Sequence, residues 1–143
     1  MSDIGLMAVD WEARLDPGRM RRERLQRAKD ALKNSDLDAL FIFRPEDARY
    51  LTGYRHHLGP AFVVGNAVVV LTRDKEPVLW TMDFEQCRYR MPWFDKEQFQ
   101  PRANFREKGG AQRWVQQAEG FFGSFAGKRV GIDIWDFSLE AAI

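Results

Sequence analysis

The first third of the chain changes from a helical pattern of apolar positions to continuous apolar runs. Three apolar residues share one face of a segment that is otherwise rich in charge: Leu25, Ala28 and Leu32. Asp16 can cap the free N–H groups of a helix, and Pro17 suits the first helical position. This pattern predicts a helix that begins at Pro17 and ends near Asn34.

Continuous apolar runs then predict the strands of a sheet. "LDALFIF" (residues 37–43) is apolar enough for a strand that is buried on both faces. Pro45 can open a short helix, which Gly53 would end. The runs "AFVV" and "AVVVLT", separated by a Gly65-Asn66 turn, and "VLWTM" (residues 78–82) predict further strands. Short connections of this kind join antiparallel neighbours, so we expect a mixed sheet.

The second half of the chain adds two helices, an edge strand and a last strand. Residues 83–91 predict a short helix, and an edge strand is expected near Gln98. The next helix carries a broad apolar stripe: Trp114, Val115, Ala118, Phe121, Phe122 and Phe125. "GKRVGIDIW" (residues 127–135) predicts a buried strand. The predicted fold class is therefore α/β, with a mixed β-sheet flanked by helices in three layers.

The last eight residues, "DFSLEAAI", have the pattern of a helix start. Ser138 can cap a helix, and Glu140 suits its first turn. The sequence stops five residues after Ser138, which is too few for a stable helix. We therefore expect the parent protein to continue beyond Ile143.

Length and composition favour one soluble domain. A chain of 143 residues, of which 45% are hydrophobic, is long enough to bury one sizeable core. A net charge of +1 gives no overall attraction to nucleic acid or to a membrane surface. Cys87 is the single cysteine, and the first residues lack the basic and apolar regions of a secretion signal. Because no apolar run approaches the length of a membrane span, we expect a cytoplasmic protein without a membrane partner.

Both histidines of the chain stand side by side in "YLTGYRHH" (residues 50–57). Neighbouring residues of an extended segment point to opposite sides, so His56 and His57 cannot readily hold one ion together. A zinc site would need two or three more ligands, and the sequence offers no further histidine and one distant cysteine. Two interpretations remain open: a solvated loop, and a loop that points at something outside this domain. We favour the second.

The predicted first helix is strongly basic. It carries seven basic and two acidic residues between Arg19 and Lys33. A phosphate-contacting face is disfavoured, because the rest of the chain cancels the charge and no aromatic residues alternate with the arginines. A solvated helix face is the simplest interpretation, and an acidic partner domain is an alternative. We expect no nucleic-acid partner.

The remaining candidate groups favour structural roles. Three carboxylate pairs lie at predicted element ends, where acids stabilise helix starts and turns: Glu46/Asp47, Asp83/Glu85 and Asp133/Asp136. Cys87 has no histidine nearby in sequence and lies in a predicted helix, which is typical of a buried, unreactive thiol. The residues alone therefore predict no catalytic group.

Three segments, in order, resemble one protein family. They are "RLQRAKDALKNSDLDALFIFRPEDARYLTGY", "AVVVLTRDKEPVLWTMDFEQCR" and "GKRVGIDIWDFSLEAAI". Together they resemble the N-terminal domain of the creatinase/prolidase family, the pita-bread metallopeptidases that include Xaa-Pro dipeptidases and aminopeptidase P. The resemblance implies an N-terminal extension over residues 1–18 and the family's domain over residues 19–143. It also implies that the C-terminal metal-binding catalytic domain is absent from this chain.

The resemblance further implies what the parent protein does. It would be a homodimeric hydrolase of peptides or small amides, with two divalent metal ions (Mn, Co or Zn) in the missing C-terminal domain and no cofactor in this chain. Its partners would be its own catalytic domain and a second subunit. In family dimers, the loop after the "YLTG"-like turn can reach the neighbouring subunit's active site. Arg55, His56 and His57 occupy that loop and are the implied substrate-binding residues, with no catalytic residue here.

One departure bears on the substrate. Creatinase places an aromatic-x-arginine in the following stretch to hold its substrate, whereas here Phe62 is followed by Val63 and Val64. The resemblance therefore favours an Xaa-Pro substrate over creatine. The alternative function is a non-catalytic protein-interaction module of the same fold.

Overall fold

The computed structural model describes residues 15–54, 67–102, 105 and 107–134. Within these residues lie four α-helices: α1 (Pro17–Asn34), α2 (Pro45–Thr52), α3 (Phe84–Arg90) and α4 (Gly110–Phe122). Five strands accompany them: β1 (Ala39–Ile42), β2 (Ala67–Thr72), β3 (Val78–Thr81), β4 (Phe99–Pro101) and β5 (Val130–Ile132). A single 3-10 turn, Lys96–Gln98, leads into β4.

Capping residues set the ends of α1 and α2 as the sequence predicted. The Asp16 carboxylate accepts a hydrogen bond from the Arg19 N–H at 2.8 Å, and mainly this bond holds the pKa of Asp16 below its usual range. Pro17 follows as the first helical residue. α2 also begins with a proline, and it ends at Gly53, whose φ of 77° lies in the left-handed region that favours glycine.

The sheet is mixed, as predicted, with the strand order β4-β3-β2-β1-β5. β2 is antiparallel to both β1 and β3, whereas β4 is parallel to β3 and β5 is parallel to β1. Four strands therefore run in one direction and end at the same edge of the sheet. β2 begins at that edge, since Ala67 pairs with Thr81 and Thr81 pairs with Pro101.

Helices cover both faces of the sheet, which confirms the three-layer α/β prediction. On one face, α4 contributes to a core of large aromatic rings: Phe41, Phe43, Trp80, Trp114, Phe122 and Phe125. On the other face, α1, α2 and α3 pack over a mainly aliphatic core that includes Leu32, Leu51, Val69, Leu71, Leu79 and Cys87. Each strand of the sheet interior is therefore buried from both sides, as its continuous apolar run indicates.

Two predicted elements differ from the observed ones. α4 ends at Phe122 because Gly123 adopts a φ of 81°, so Phe125 packs into the same core from a loop and not from the helix. The strand predicted as buried over residues 127–135 is the short β5, and its residues are half-buried. Among the described strands, β5 has one neighbour, β1, and forms an outer edge of the sheet.

The edge strand expected near Gln98 is confirmed as β4, the outermost strand on the opposite side. The predicted "AFVV" strand, the Gly65-Asn66 turn and the helix start at Ser138 lie outside the described residues. Over the ranges that are described, no helix is both long enough and apolar enough to cross a membrane.

Candidate functional site

The candidate site is the edge of the sheet at which four strands end. Open α/β sheets bind ligands outside the carboxyl ends of their strands. Tyr54 reaches this edge, because its hydroxyl lies 2.8 Å from the hydroxyl of Thr81 at the end of β3. The predicted substrate-binding residues Arg55–His57 follow Tyr54 directly and lie outside the described residues. β2 resumes the described chain at the same edge, starting at Ala67.

A buried hydroxyl–carboxylate cluster fixes Tyr54 at this edge. The Tyr54 hydroxyl also donates to Asp83 Oδ1 at 3.0 Å, and the Thr81 hydroxyl donates to the same oxygen at 2.6 Å. All three side chains are buried. Burial is the largest cause that raises the pKa of Tyr54 above its usual range, and the Asp83 charge adds to it. Tyr54 therefore stays a neutral hydrogen-bond donor at physiological pH.

The backbone just before Tyr54 is held from the opposite side. Trp93 Nε1 donates to the carbonyl of Thr52 at 2.9 Å, which satisfies a carbonyl at the end of α2. The Arg21 guanidinium stacks 3.8 Å from the centre of the Trp93 ring. A Cβ atom on Gly53 would lie 2.8 Å from Arg21 Cδ and 3.3 Å from Trp93 Cζ2. Gly53 is therefore required both by its φ angle and by the close approach of α1.

A cleft of about 370 Å³ opens beside this contact. Residues of α1, α2 and the segment before β4 line it, including Arg21, Thr52, Trp93 and Asp95. Its acids already have partners: Glu76 pairs with Lys29, and the Asp95 carboxylate accepts from the Gln98 backbone. Within the part of the chain that the structure describes, Arg21 Nε is buried without a hydrogen-bond partner. The cleft therefore presents an aromatic wall and a cation.

Two arginines in the described chain add positive charge at the strand ends. Arg44 follows β1, and its Nε lies 3.9 Å from Asp47 Oδ2 at the start of α2. Arg102 follows β4, and its Nη1 donates to the sulfur of Met82 at 3.1 Å, a weak acceptor for a charged group. Arg102 Nε is buried, and no described residue accepts a hydrogen bond from it. This edge can therefore attract a carboxylate or another anionic group.

The carboxylate pairs have the structural roles that the sequence predicts. Glu46 and Asp47 lie in the first turn of α2. Asp133, just after β5, accepts from the N–H groups of Phe43 and Arg44, both at 2.8 Å, and so ties β5 to the start of α2. Asp83 lies in the Tyr54 cluster, and Asp136 lies outside the described residues. None of the acids that can be placed faces a catalytic partner.

The basic helix face is mostly solvated. Arg19 and Arg27 both lie near Glu23 on the exposed side of α1, where such pairs contribute little to stability. Two residues are exceptions. Arg21 packs on the ring of Trp93. Arg24 lies 5.3 Å from the centre of the Tyr50 ring. Two of the seven basic residues thus contact exposed aromatic rings.

Cys87 is buried beside Asp83, as predicted for an unreactive thiol. Burial, and then the Asp83 charge, raise the pKa of the Cys87 thiol to about 12. We expect alkylation by iodoacetamide at pH 8 to be roughly 1,000-fold slower in the folded chain than in urea, because the thiolate is the reacting form. Mass spectrometry over a time course measures both rates. Equal rates in the two conditions would contradict a buried thiol.

The described residues do not fit a metal centre. No three histidine, cysteine, aspartate or glutamate side chains among them lie close enough together to hold an ion. Cys87 and Asp83, the buried candidates, lie with Tyr54 and Thr81 in a hydroxyl cluster. We therefore assign no metal chemistry to the described residues.

Sequence reasoning does not identify the residues that hold Tyr54. Thr81 and Asp83 are separated by one residue at the end of a predicted strand, where they resemble ordinary turn residues. Trp93 lies in the irregular "MPWFDKEQF" segment, and Arg21 is one of many arginines. The available signal is the pairing of a strand-end Thr-x-Asp with a tyrosine that follows a helix-ending glycine. That signal becomes specific once the topology brings the segments together.

Solved structures with a similar fold come from peptidases. An Xaa-Pro aminopeptidase from Streptococcus pyogenes superposes with a TM-score of 0.58 at 18% identity, over 87% of this chain and 85% of that one. The N-terminal domain of an Xaa-Pro dipeptidase from Lactobacillus brevis gives 0.53 at 14%, over 87% of both chains. An Xaa-Pro dipeptidase from Bacillus anthracis gives 0.56 at 15%, over 85% of this chain but 30% of that longer one. At these identities the likeness shows the fold.

A match to a family model identifies the protein family to which the chain belongs. No curated protein sequence matches the chain. The model that describes the creatinase/prolidase N-terminal domain, however, matches residues 24–140, which is most of the chain. The match includes α1 from Arg24 onward, every strand that the structure describes, and Tyr54 with its hydroxyl–carboxylate cluster. The chain therefore belongs to the creatinase/prolidase N-terminal domain family.

Proposed function

We propose that this chain is the substrate-recognition and dimerisation domain of a metal-dependent hydrolase of the Xaa-Pro dipeptidase or aminopeptidase P type. It is not catalytic alone. The two divalent ions (Mn, Co or Zn) belong to a C-terminal domain outside this chain, and the parent protein is a cytoplasmic homodimer. Family membership supports this proposal, as do the Xaa-Pro peptidases that share the fold.

The observation that carries the proposal is the position of Tyr54. Its buried hydroxyl cluster brings the chain to the carboxyl edge immediately before Arg55–His57. Arg44 and Arg102 stand at the same edge, so a substrate carboxylate would meet positive charge there. In this proposal Arg55 binds that carboxylate, and the two histidines donate hydrogen bonds to a substrate carbonyl or carboxylate.

The first test compares the 143-residue chain with the product of its complete reading frame. Each protein is incubated with an Xaa-Pro dipeptide and Mn²⁺ or Co²⁺, and proline release is measured. We expect hydrolysis by the complete product and none by the 143-residue chain. Metal-dependent hydrolysis by the 143-residue chain would overturn the proposal that catalysis belongs to a separate C-terminal domain. An inactive complete product would overturn the peptidase assignment.

The second test concerns the recognition residues. The double substitution His56→Ala and His57→Ala in the complete product should lower kcat/KM by at least about 10- to 150-fold, since the loss of a single charge-assisted contact already costs about 1.5–3 kcal/mol. Arg27→Ala, on the solvated side of α1, is the matched control and should leave kcat/KM unchanged. Unchanged kcat/KM in the histidine variant would remove His56 and His57 from the substrate site.

A second candidate function is a non-catalytic interaction module that binds an acidic partner. The contacts of Arg21 with Trp93 and of Arg24 with Tyr50 favour it, because arginine beside exposed aromatic rings is typical of binding surfaces. The reading frame beyond Ile143 discriminates between the two candidates. A spaced set of Asp, Asp, His, Glu and Glu favours the hydrolase, and its absence favours the module.

A further inference from the structure

The cleft between α1 and the segment before β4 combines an arginine with an apolar floor. We call it the Arg21 cleft. Its volume of about 370 Å³ lies at the lower end of the range for small-molecule pockets. Leu25 and Leu51 contribute aliphatic side chains, and Phe94 contributes a ring. All three pack in the core on the α1–α3 face, so the floor of the cleft is held in place before any ligand arrives.

Trp93 holds the Arg21 guanidinium in one orientation. The Trp93 indole donates to the Thr52 carbonyl at 2.9 Å, which fixes the ring, and the guanidinium carbon lies 3.8 Å from the ring centre. A guanidinium that stacks on a ring directs its N–H groups sideways, in its own plane. Arg21 can therefore keep this contact and still donate two parallel hydrogen bonds to a carboxylate.

The hydrogen-bonding capacity of Arg21 is unused within the described chain. No described residue forms an ion pair or a hydrogen bond with its guanidinium, and Nε is buried without an acceptor there. The two acids that line the cleft are engaged elsewhere, since Glu76 pairs with Lys29 and Asp95 accepts from the Gln98 backbone. A carboxylate supplied by a ligand would give Arg21 the partner that these acids do not.

Arg22, the second arginine of the cleft, lies near an acid. Arg22 Nη1 and Asp16 Oδ1 both approach the Cβ position of Gly18, at 3.3 and 3.2 Å, so these two charges are close together at the start of α1. Arg21 is therefore the cation through which the cleft can select a carboxylate.

We propose that the Arg21 cleft is a binding site for a small organic carboxylate that carries an apolar or aromatic group. The carboxylate accepts from the Arg21 guanidinium, and the apolar group rests on the floor formed by Leu25, Leu51 and Phe94. The cleft has the size of a small-ligand pocket and not that of a protein interface, which favours a free molecule as the occupant. Binding here requires neither the proposed hydrolase activity nor a metal.

NMR titration of the isotope-labelled 143-residue chain tests the site. The indole N–H signal of Trp93, assigned by its loss in Trp93→Phe, is followed with 3-phenylpropionate as the probe and neutral 3-phenylpropanamide as the matched control. We expect a saturable shift with the carboxylate and a Kd of about 0.1–4 mM, as for a ligand of about eleven non-hydrogen atoms. The amide should bind at least about tenfold more weakly. No shift, or an equal shift with the amide or with sodium chloride at the same ionic strength, overturns the site.

Two substitutions of the same charge identify the binding group. Arg21→Gln should weaken 3-phenylpropionate binding at least about tenfold. Arg27→Gln makes the same change on the solvated side of α1 and should leave Kd unchanged. If the spectrum shows that the Arg21→Gln chain is unfolded, Arg21→Lys replaces it. Lysine keeps the charge without the planar fork, so a loss of about 3- to 10-fold is expected. A wild-type Kd in the folded Arg21 variant overturns the role of Arg21.

Calorimetry with the complete product shows whether the cleft stays open in the parent protein. We expect the Kd of 3-phenylpropionate to agree with that of the 143-residue chain within about twofold. Binding by the 143-residue chain and none by the complete product would mean that the rest of the protein covers the cleft, and would overturn a ligand site there. Since the readout is binding, an Xaa-Pro assay that shows no hydrolysis overturns the proposed function and leaves this result unchanged.

Discussion

Replacing Trp114 by alanine is expected to lower the free energy of unfolding by about 3–5 kcal/mol, a large part of the stability of a domain of this size. Trp114 is 1% exposed and stands at the centre of the aromatic core on the α4 face. Four rings surround it with centroid distances of 5.0 to 5.8 Å: Phe41, Phe43, Trp80 and Phe105. Alanine would leave a cavity that rings held by two layers cannot close.

Urea unfolding followed by circular dichroism measures this loss, and Trp114→Phe provides the control. Trp114 Nε1 is buried and has no hydrogen-bond partner among the described residues, so phenylalanine removes a donor that these residues leave unsatisfied while it keeps a ring in place. We expect the phenylalanine variant to be more stable than the alanine variant by at least about 2 kcal/mol. A loss below about 1 kcal/mol for Trp114→Ala would mean that the aromatic core is loosely packed.

The parts of the fold that the sequence predicts well are those whose cause is local. Asp16-Pro17 caps α1 through residues next to each other in the chain, and Gly53 ends α2 through its own backbone angle. Continuous apolar runs likewise locate β2 and β3, because burial on both faces removes the alternation of polar residues. Capping residues, helix-ending glycines and buried strands of this kind can therefore be predicted from the local sequence.

Predictions fail where position in the sheet decides the outcome. The sequence at residues 127–135 predicts a buried strand, yet among the described strands β5 lies at an edge and pairs with β1 over three residues. The helical stripe continues in phase to Phe125, yet Gly123 ends α4 and the ring reaches the same core from a loop. Neither the number of neighbours of a strand nor the path of a loop is encoded in a local pattern.

The candidate site also combines a feature that the local sequence predicts with contacts that it does not predict. The position of Arg55–His57 after a helix-ending glycine can be predicted, because that glycine is local. The contacts of Tyr54 cannot be predicted, because tertiary packing brings this residue, which follows α2, beside Thr81 and Asp83 at the end of β3. Contacts that depend on tertiary packing can therefore be recognised only from the structure, whereas a segment that follows a helix-ending glycine can be located from the sequence.

Gly53→Ala should destabilise the domain by about 2–4 kcal/mol, the sum of left-handed backbone strain and a displaced contact. The residue has φ 77° and ψ 6°, and its new Cβ would press on Arg21 Cδ at 2.8 Å and on Trp93 at 3.3 Å. The Arg21 guanidinium stacks on the Trp93 ring, so a displaced Arg21 side chain would disturb that contact. The substitution is therefore expected to weaken the Arg21–Trp93 stacking in addition to straining the turn.

Gly109 offers a control with the same backbone and different surroundings. Its φ of 72° and ψ of 10° nearly repeat those of Gly53, but a Cβ there would meet nothing closer than Arg113 Nη1 at 3.4 Å. Gly109→Ala should thus cost the backbone strain alone, about 1–2 kcal/mol. The difference between the two variants in urea unfolding measures the close approach of α1 to Gly53. Equal losses would mean that the Arg21 side chain moves away from the added methyl group at no cost, and that the close approach of α1 does not by itself require glycine at position 53.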